Sequence, residues 1–200
     1  KFTERQEYTM ANQCLDQKQE SLEPEQEPSD KNELFHWILT LAIAVIIALC
    51  VNRFVLVNAE IPSGSMENTI MTGDRVFGNR LAYIFGEPKR FDIIIFRYPD
   101  DEKQLFIKRI IGLPGETVEI HDGQIFIDGS KTPLKDVTTK EFMQGSFGPY
   151  TVPDNCYFVM GDNRNNSKDS RYWEHTFVTD DEIVGKAFLR YWPLNKIKFL

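Results

Sequence analysis

The sequence predicts a mainly β fold: an irregular antiparallel β-sandwich or barrel preceded by one transmembrane helix. Three observations predict it. Residues 34–51, LFHWILTLAIAVIIALCV, form an 18-residue run without a formal charge. From residue 58 onward the chain breaks into short β-branched or aromatic runs closed by Gly, Pro or Asp. After residue 60 no segment sustains a long helical period.

The first element, residues 1–33, holds nine acids against four bases, a net of −5 out of the chain's −7. Its Gln, Glu, Asp and Ser cannot bury enough apolar area to offset chain entropy, which predicts an acidic disordered tail. The remaining 167 residues carry only −2 and show no basic stripe, so nucleic acid is not an expected partner.

The second element, 34–57, is read as a membrane anchor. Apolar character resumes after Asn52 and Arg53 as Phe54 to Val57. At a helical rise of about 1.5 Å per residue the stretch reaches roughly 36 Å, enough for a hydrocarbon core of ~30 Å. Arg53 would snorkel to the interface. Val57-Asn58-Ala59 resembles a signal-peptide cleavage site, but the long acidic segment ahead and the length of the run favour an uncleaved anchor. Self-cleavage near Ala59 stays open as a hypothesis. The basic residues flanking the span, Lys18 and Lys31 against Arg53, are too balanced to fix its orientation.

The third element, 58–200, carries the strand signals. FDIIIFRYP, LFIKRIIGLPG, TVEIHDGQIFIDG, CYFVMGD and EIVGKAFLRYWP each read as strand material. Asp122-Gly123 is a two-residue hairpin signal, and Asp128-Gly129 marks another turn. The stretch 130–152, poor in apolar residues and carrying two prolines, reads as a loop excursion. The cysteines, at 14, 50 and 156, form no CxxC pair, so neither a disulfide framework nor a structural zinc is expected.

The chemistry is concentrated around EIPSGSMENTI, 60–70, where Ser63 and Ser65 flank a glycine. A serine needs a base to become a nucleophile. Of the three histidines, His36 is in the span, His121 sits at a hairpin and His175 follows a polar loop; each reads better as structural or solvated. Lysine serves as a base only when neutral, which requires burial. Lys108, in QLFIKRIIG, shares a strand face with Phe106 and Ile110, whereas Arg109 points the other way. A lysine snorkelling from a half-wet strand fits the same spacing, and the spacing alone does not choose. GDNRNNSKDSR, 161–171, reads equally as a polar turn-rich surface loop or as part of a site; a calcium loop fails on the EF-hand positions of Gly and Glu, and no metal site is expected. Met66 reads as core packing or as a wall of a cleft beside Ser65.

Four motifs in order resemble the type I signal peptidases: IPSGSM at 61–66 after a membrane span, GDRVFGNRLAYIFGEPKRFDIIIFRYP at 73–99, KRIIGLPGE at 108–116 and GDNRNNSKDSRYW at 161–173. The resemblance covers nearly everything from residue 34 onward and leaves the tail out. It implies a Ser-Lys endopeptidase that needs no cofactor and removes signal peptides from exported preproteins after small residues at −1 and −3. It implies Ser65 as nucleophile, Lys108 as general base, and Ser63 with the Ser65 N–H as an oxyanion hole. Ser167 is similar to a hydroxyl that orients the lysine; Asp162, Asp169, Arg109 and Arg171 match positions that brace the site. A bacterial cytoplasmic membrane, a single pass, an extracytoplasmic C-terminal domain, the lipid bilayer and proximity to the secretion translocon are implied with them. Leu81 to Phe85 is a candidate surface for dipping into lipid, or a plain core strand.

Three positions depart from the family pattern. Asn68 replaces a common proline, and Phe91 and Glu174 stand where glycine is usual. The competing readings are a self-cleaving repressor-like Ser-Lys protease, a Cys-His transpeptidase using Cys156, and an inactive membrane-tethered β-domain.

Overall fold

The computed structural model describes residues 30–84, 86–136 and 141–200; the expected disordered tail lies outside these residues except at its last positions. The chain divides into two units, Lys1–Ala48 and Leu49–Leu200.

Helix α1, Asp30–Cys50, begins in the first unit and ends two residues into the second, where a π-helical turn, Val51–Val55, follows it. Within this stretch Glu33–Val55 is long and apolar enough to cross a membrane. Its large apolar side chains, among them Leu34, Trp37, Leu41 and Leu49, are exposed around the whole circumference. A helix apolar on every side is suited to lipid rather than to water. The apolar run extends two residues further, into Leu56 and Val57. These open strand β1, Leu56–Glu60, and Val57 is buried in the core.

The second unit is built on antiparallel strands: β2 Arg75–Asn79, β3 Ile93–Tyr98, β4 Asp101–Gly112, β5 Thr117–His121, β6 Gln124–Ile127, β7 Phe147–Thr151, β8 Cys156–Met160, β9 Val178–Thr179, β10 Ile183–Trp192 and β11 Lys198–Phe199. The large sheet runs β1-β2-β10-β3-β4-β8-β9, with β11 also paired to β10; a small sheet runs β6-β5-β7. The helical content of this unit, among the described residues, is limited to the end of α1, the π turn and short 3-10 turns. The expected mainly β, irregular antiparallel fold with one N-terminal apolar helix is the fold observed.

Sequence chemistry accounts for most of it. Strand β3 alternates between two cores: Ile93 and Ile95 pack with Val57, Met66, Ile70, Val76 and Ile107. Ile94 and Phe96 pack on the other side with Ile110, Val159 and Trp173. A strand buried on both faces reads as a continuous apolar run, as IIIF does. In the hairpin between β5 and β6, Asp122 and Gly123 have φ of +46° and +75°, the positive pair that a type I′ turn requires.

The stretch 130–152 is not wholly a loop, because β7 lies in it. Its FGPYT sequence lacks the usual strand signature, but β7 is an edge strand of the small sheet, where a proline is tolerated. Ala59 pairs with Val76, so the Val57-Asn58-Ala59 segment is part of a hydrogen-bonded strand.

Candidate active site

After β1 the chain turns across the edge of the first core. Ile61 N–H donates to Asp74 O at 3.0 Å and Gly73 N–H to Ile61 O at 2.8 Å, closing the 61–74 segment into a loop. Met66 and Ile70 anchor it in the core with no exposed surface, which settles Met66 as a packing residue. Between the loop closure and this anchor lies a single 3-10 turn, Gly64–Met66. It lifts Ser65 onto a cavity of about 540 Å³ whose walls include Ala59 of β1, Ser63, and Phe106 to Lys108 of β4.

Lys108 comes from the long strand β4. It pairs with Ile94 of β3 and Arg109 pairs with Ile93, so the two cations leave β4 on opposite faces. The Lys108 Nζ lies 2.7 Å from Ser65 Oγ, donates to Ile107 O at 3.2 Å, and sits 5.4 Å from the centroid of the Phe106 ring. Lys108 is 3% exposed. Burial lowers its pKa from 10.5 to about 8; the charges of Asp169 and then Asp162 pull it back upward without cancelling that effect. Ser63, on the solvent side, places its Oγ 3.5 Å from Ser65 Oγ.

The 161–171 loop forms the base of the site. Asp162 accepts two hydrogen bonds from Arg109, at 2.7 and 2.6 Å, and one from Thr69 Oγ at 2.5 Å. Asp169 accepts from Arg171 at 2.8 and 2.9 Å and from the Gly161 N–H at 2.9 Å. The Arg171 guanidinium is flanked by the rings of Phe147 and Tyr172, at 5.3 and 5.1 Å. The small sheet therefore supports the site through β7. All four charged residues are buried.

Ser167 is also buried, but its Oγ has no hydrogen-bond partner among the described residues. The contact with Lys108 implied by the resemblance is not made; the lysine's hydrogen bonds go to Ser65 and to Ile107 O.

Three residues were not singled out from the sequence. A Cβ on Gly161 would lie 2.3 Å from Ser167 Oγ and 2.4 Å from Ser65 O, so only glycine lets the loop close on the serine turn. Asn163 donates its N–H to Ser65 O and its side-chain amide to Gly64 O, each at 3.0 Å. Thr69 reaches Asp162 from the serine loop itself. The first two lie inside the quoted GDN triplet; Thr69 carried no signal.

The two histidines of the second unit stay away from Ser65. His121 pairs with Glu119 at 2.9 Å and His175 with Asp100 at 3.0 Å, and neither lines the cavity at Ser65. Cys156, at the start of β8, likewise does not line it, and burial pushes its thiol pKa upward, away from the thiolate a transpeptidase needs. Among the described residues no group of His, Cys, Asp and Glu is arranged to hold a metal ion.

Residues 34–192 match the family model described as signal peptidase, peptidase S26. The chain belongs to the signal peptidase family. Signal peptidase I of Leptolyngbya laminosa is 38% identical over 178 residues, spanning 86% of each chain. Signal peptidase I S of Bacillus subtilis is 37% identical over 179 residues, 85% of this chain and 95% of that one. A crystal structure of a signal peptidase I from Enterococcus faecalis aligns at 37% identity and a TM-score of 0.43, covering 50% of this chain and 96% of that chain.

Membership makes the chain a signal peptidase I and a serine endopeptidase, and its apolar helix fits a membrane-anchored form of that enzyme. The departures from the family pattern now have structural counterparts. Phe91 has φ +71°, a conformation that favours glycine, held by an Arg109 hydrogen bond to its carbonyl at 2.8 Å. Asn68 has φ +89°, which proline cannot adopt and asparagine tolerates. Glu174 is not among the residues with positive φ; its N–H and that of His175 both donate to Asp100.

Proposed function

We propose that this signal peptidase I uses a Ser65–Lys108 dyad to remove signal peptides from exported preproteins, cutting after small residues at −1 and −3. The observation that carries the reading is the 2.7 Å approach of Ser65 Oγ and Lys108 Nζ at a buried position where the lysine pKa falls to about 8. A base works best with a pKa near the operating pH, and an ordinary lysine titrates too high.

In the proposed reaction neutral Lys108 accepts the Ser65 Oγ proton as the oxygen attacks the scissile carbonyl carbon. The carbonyl electron pair moves onto oxygen, where the Ser65 N–H and the Ser63 hydroxyl donate to it. The first amides of a helical turn have no partner within it, which leaves the Ser65 N–H for this use. The tetrahedral intermediate collapses with cleavage of the C–N bond, and Lys108 returns the proton to the departing amine. Water then attacks the Ser65 ester with Lys108 again as base, releasing the signal peptide carboxylate and restoring the serine.

Asp162, Asp169, Arg109 and Arg171 hold the loop under the dyad, and Ser167 is a candidate by position. The substrate adds as an extended strand along the cavity, whose β1 wall is an edge of the large sheet. The enzyme passes once through a bacterial cytoplasmic membrane, with the C-terminal domain on the extracytoplasmic side, against the bilayer and close to the translocon. Of the suggested lipid-facing patch, Leu81 and Ile84 are exposed, Tyr83 is tied to Asp92 at 3.0 Å, and Phe85 lies outside the described residues.

The test is cleavage of a preprotein with an Ala-X-Ala site by wild type, Ser65→Ala and Lys108→Met over a range of pH. Wild type should cut after the second Ala, with activity rising through about pH 8 as the amine loses its proton; both variants should be folded and inactive. A Lys108→Met enzyme that still cuts would place the base elsewhere. A wild-type protein that never cuts would favour the inactive tethered domain.

A further inference from the structure

Asn163 has no role in the proposed chemistry, yet it grips the serine turn at two successive carbonyls. Its backbone N–H donates to Ser65 O at 3.0 Å and its Nδ2 to Gly64 O at 3.0 Å. The Nδ2 also faces Glu67 Oε2 at 3.5 Å, so two acceptors converge on this atom, which identifies it as the amide nitrogen. Gly64 O additionally accepts the Glu67 N–H at 3.1 Å.

The Gly64 carbonyl and the Ser65 N–H belong to one peptide unit. In a trans peptide they are held rigidly in one plane and point in opposite directions. Two donors on the carbonyl therefore fix the direction in which the N–H points. They also withdraw electron density through the amide, making the N–H a stronger donor. Glycine at position 64 makes such a restraint necessary, since it has the greatest backbone freedom of any residue.

We infer that Asn163 is a positioning residue for the oxyanion hole: its side-chain amide, through Gly64 O, orients and polarises the Gly64–Ser65 peptide whose N–H meets the developing oxyanion. The inference rests on the Ser65–Lys108 reading above. A donor that matters only when charge develops on the carbonyl oxygen acts on the transition state and not on substrate binding. Loss of the Asn163 amide then lowers kcat and leaves KM in place. It also leaves the pH midpoint in place, because Lys108 is untouched.

The experiment compares wild type, Asn163→Leu, Asn163→Ala and Lys108→Met, each as the full chain in detergent, on a peptide with an Ala-X-Ala site. Leu keeps the side-chain shape without the donor, Ala removes both, and the backbone N–H to Ser65 O survives in each. The expected result is a fall in kcat of about tenfold in both Asn163 variants, less than the 10²–10³ lost when an oxyanion donor itself is deleted, at unchanged KM and pH midpoint. A kcat within about twofold of wild type overturns the inference, as does a loss confined to KM. A displaced pH midpoint overturns it too, since the effect would then run through Lys108. Failure of both variants to fold makes Asn163 a structural residue and equally overturns it. Lys108→Met separates the two levels: if it still cuts, the dyad reading has failed, whereas an inactive Lys108→Met beside fully active Asn163 variants sinks only the present inference.

Discussion

The lowered Lys108 pKa has a consequence for stability. An amine whose pKa falls from 10.5 in the unfolded chain to about 8 in the folded one is a group that burial disfavours in its charged form. Between those two values the unfolded state binds more protons, so wild-type stability rises with pH across that window. At pH 7 both states are mostly protonated, and holding the ammonium inside costs about 3 kcal/mol. By pH 9 the penalty falls to about 2 kcal/mol, and at pH 10.5 to below ~0.5 kcal/mol.

Lys108→Met keeps the apolar stem and has nothing to protonate. It also loses the hydrogen bonds to Ser65 Oγ and to Ile107 O, together worth about 1.5 kcal/mol. The variant should therefore be about 1.5 kcal/mol more stable than wild type at pH 7, with the advantage disappearing above pH 9 and reversing near pH 10.5. Urea titrations of the full chain in detergent from pH 6 to 10.5, followed by tryptophan fluorescence, measure this; Trp173 is buried in the second core and reports on it. Other titrating groups are common to both proteins and cancel in the difference. A variant less stable than wild type at pH 7, or a difference flat across pH, would falsify the claim that burial sets the lysine's pKa.

Two further outcomes follow from backbone geometry. Gly161→Ala brings a methyl against Ser65 O and Ser167, so it should lower stability by about 1–3 kcal/mol and reduce cleavage together, read by thermal melting and by peptide turnover. Asn68→Pro installs the residue common in the family, yet it should destabilise by more than about 1 kcal/mol because φ is +89° here; an unchanged melting temperature would mean that the turn readily adopts the other conformation.

Elements driven by local apolar content were legible in the sequence. Strands β3, β4, β8 and β10 and the β5–β6 hairpin each announce themselves through β-branched runs or an Asp-Gly turn. Strand β1 was not, because Leu56 and Val57 continue the anchor's apolar run without a break. Nor was β7, whose sequence FGPYT carries a glycine and a proline in place of a β-branched run. The site divides in the same way. Ser63, Ser65 and Lys108 sit in short motifs that chemistry can read. Asp162, Asp169, Arg109 and Arg171 came only through resemblance, since a carboxylate on one loop gives no sign of the guanidinium that will meet it. Thr69 and Asp162, 93 residues apart, meet only in the folded chain.

The buried charges make sense only together. Two carboxylates near a lysine would ordinarily keep it protonated and useless as a base. Each is instead held by a guanidinium through two hydrogen bonds, Asp162 by Arg109 and Asp169 by Arg171. Their remaining pull on Lys108 is real but smaller than the effect of burial. Buried ion pairs are a poor source of stability, since well-packed apolar groups of the same size often do as well or better. Their position therefore argues for another purpose. Asp169 accepts the Gly161 N–H, Asp162 accepts Thr69 from the serine loop, and Arg109 adjoins Lys108 on β4. The two pairs lock three segments together around the serine turn while exporting little negative charge to the amine. Apolar replacements could fill the same volume, but they could not make those directional bonds. Replacing only the guanidiniums would leave bare carboxylates facing the base.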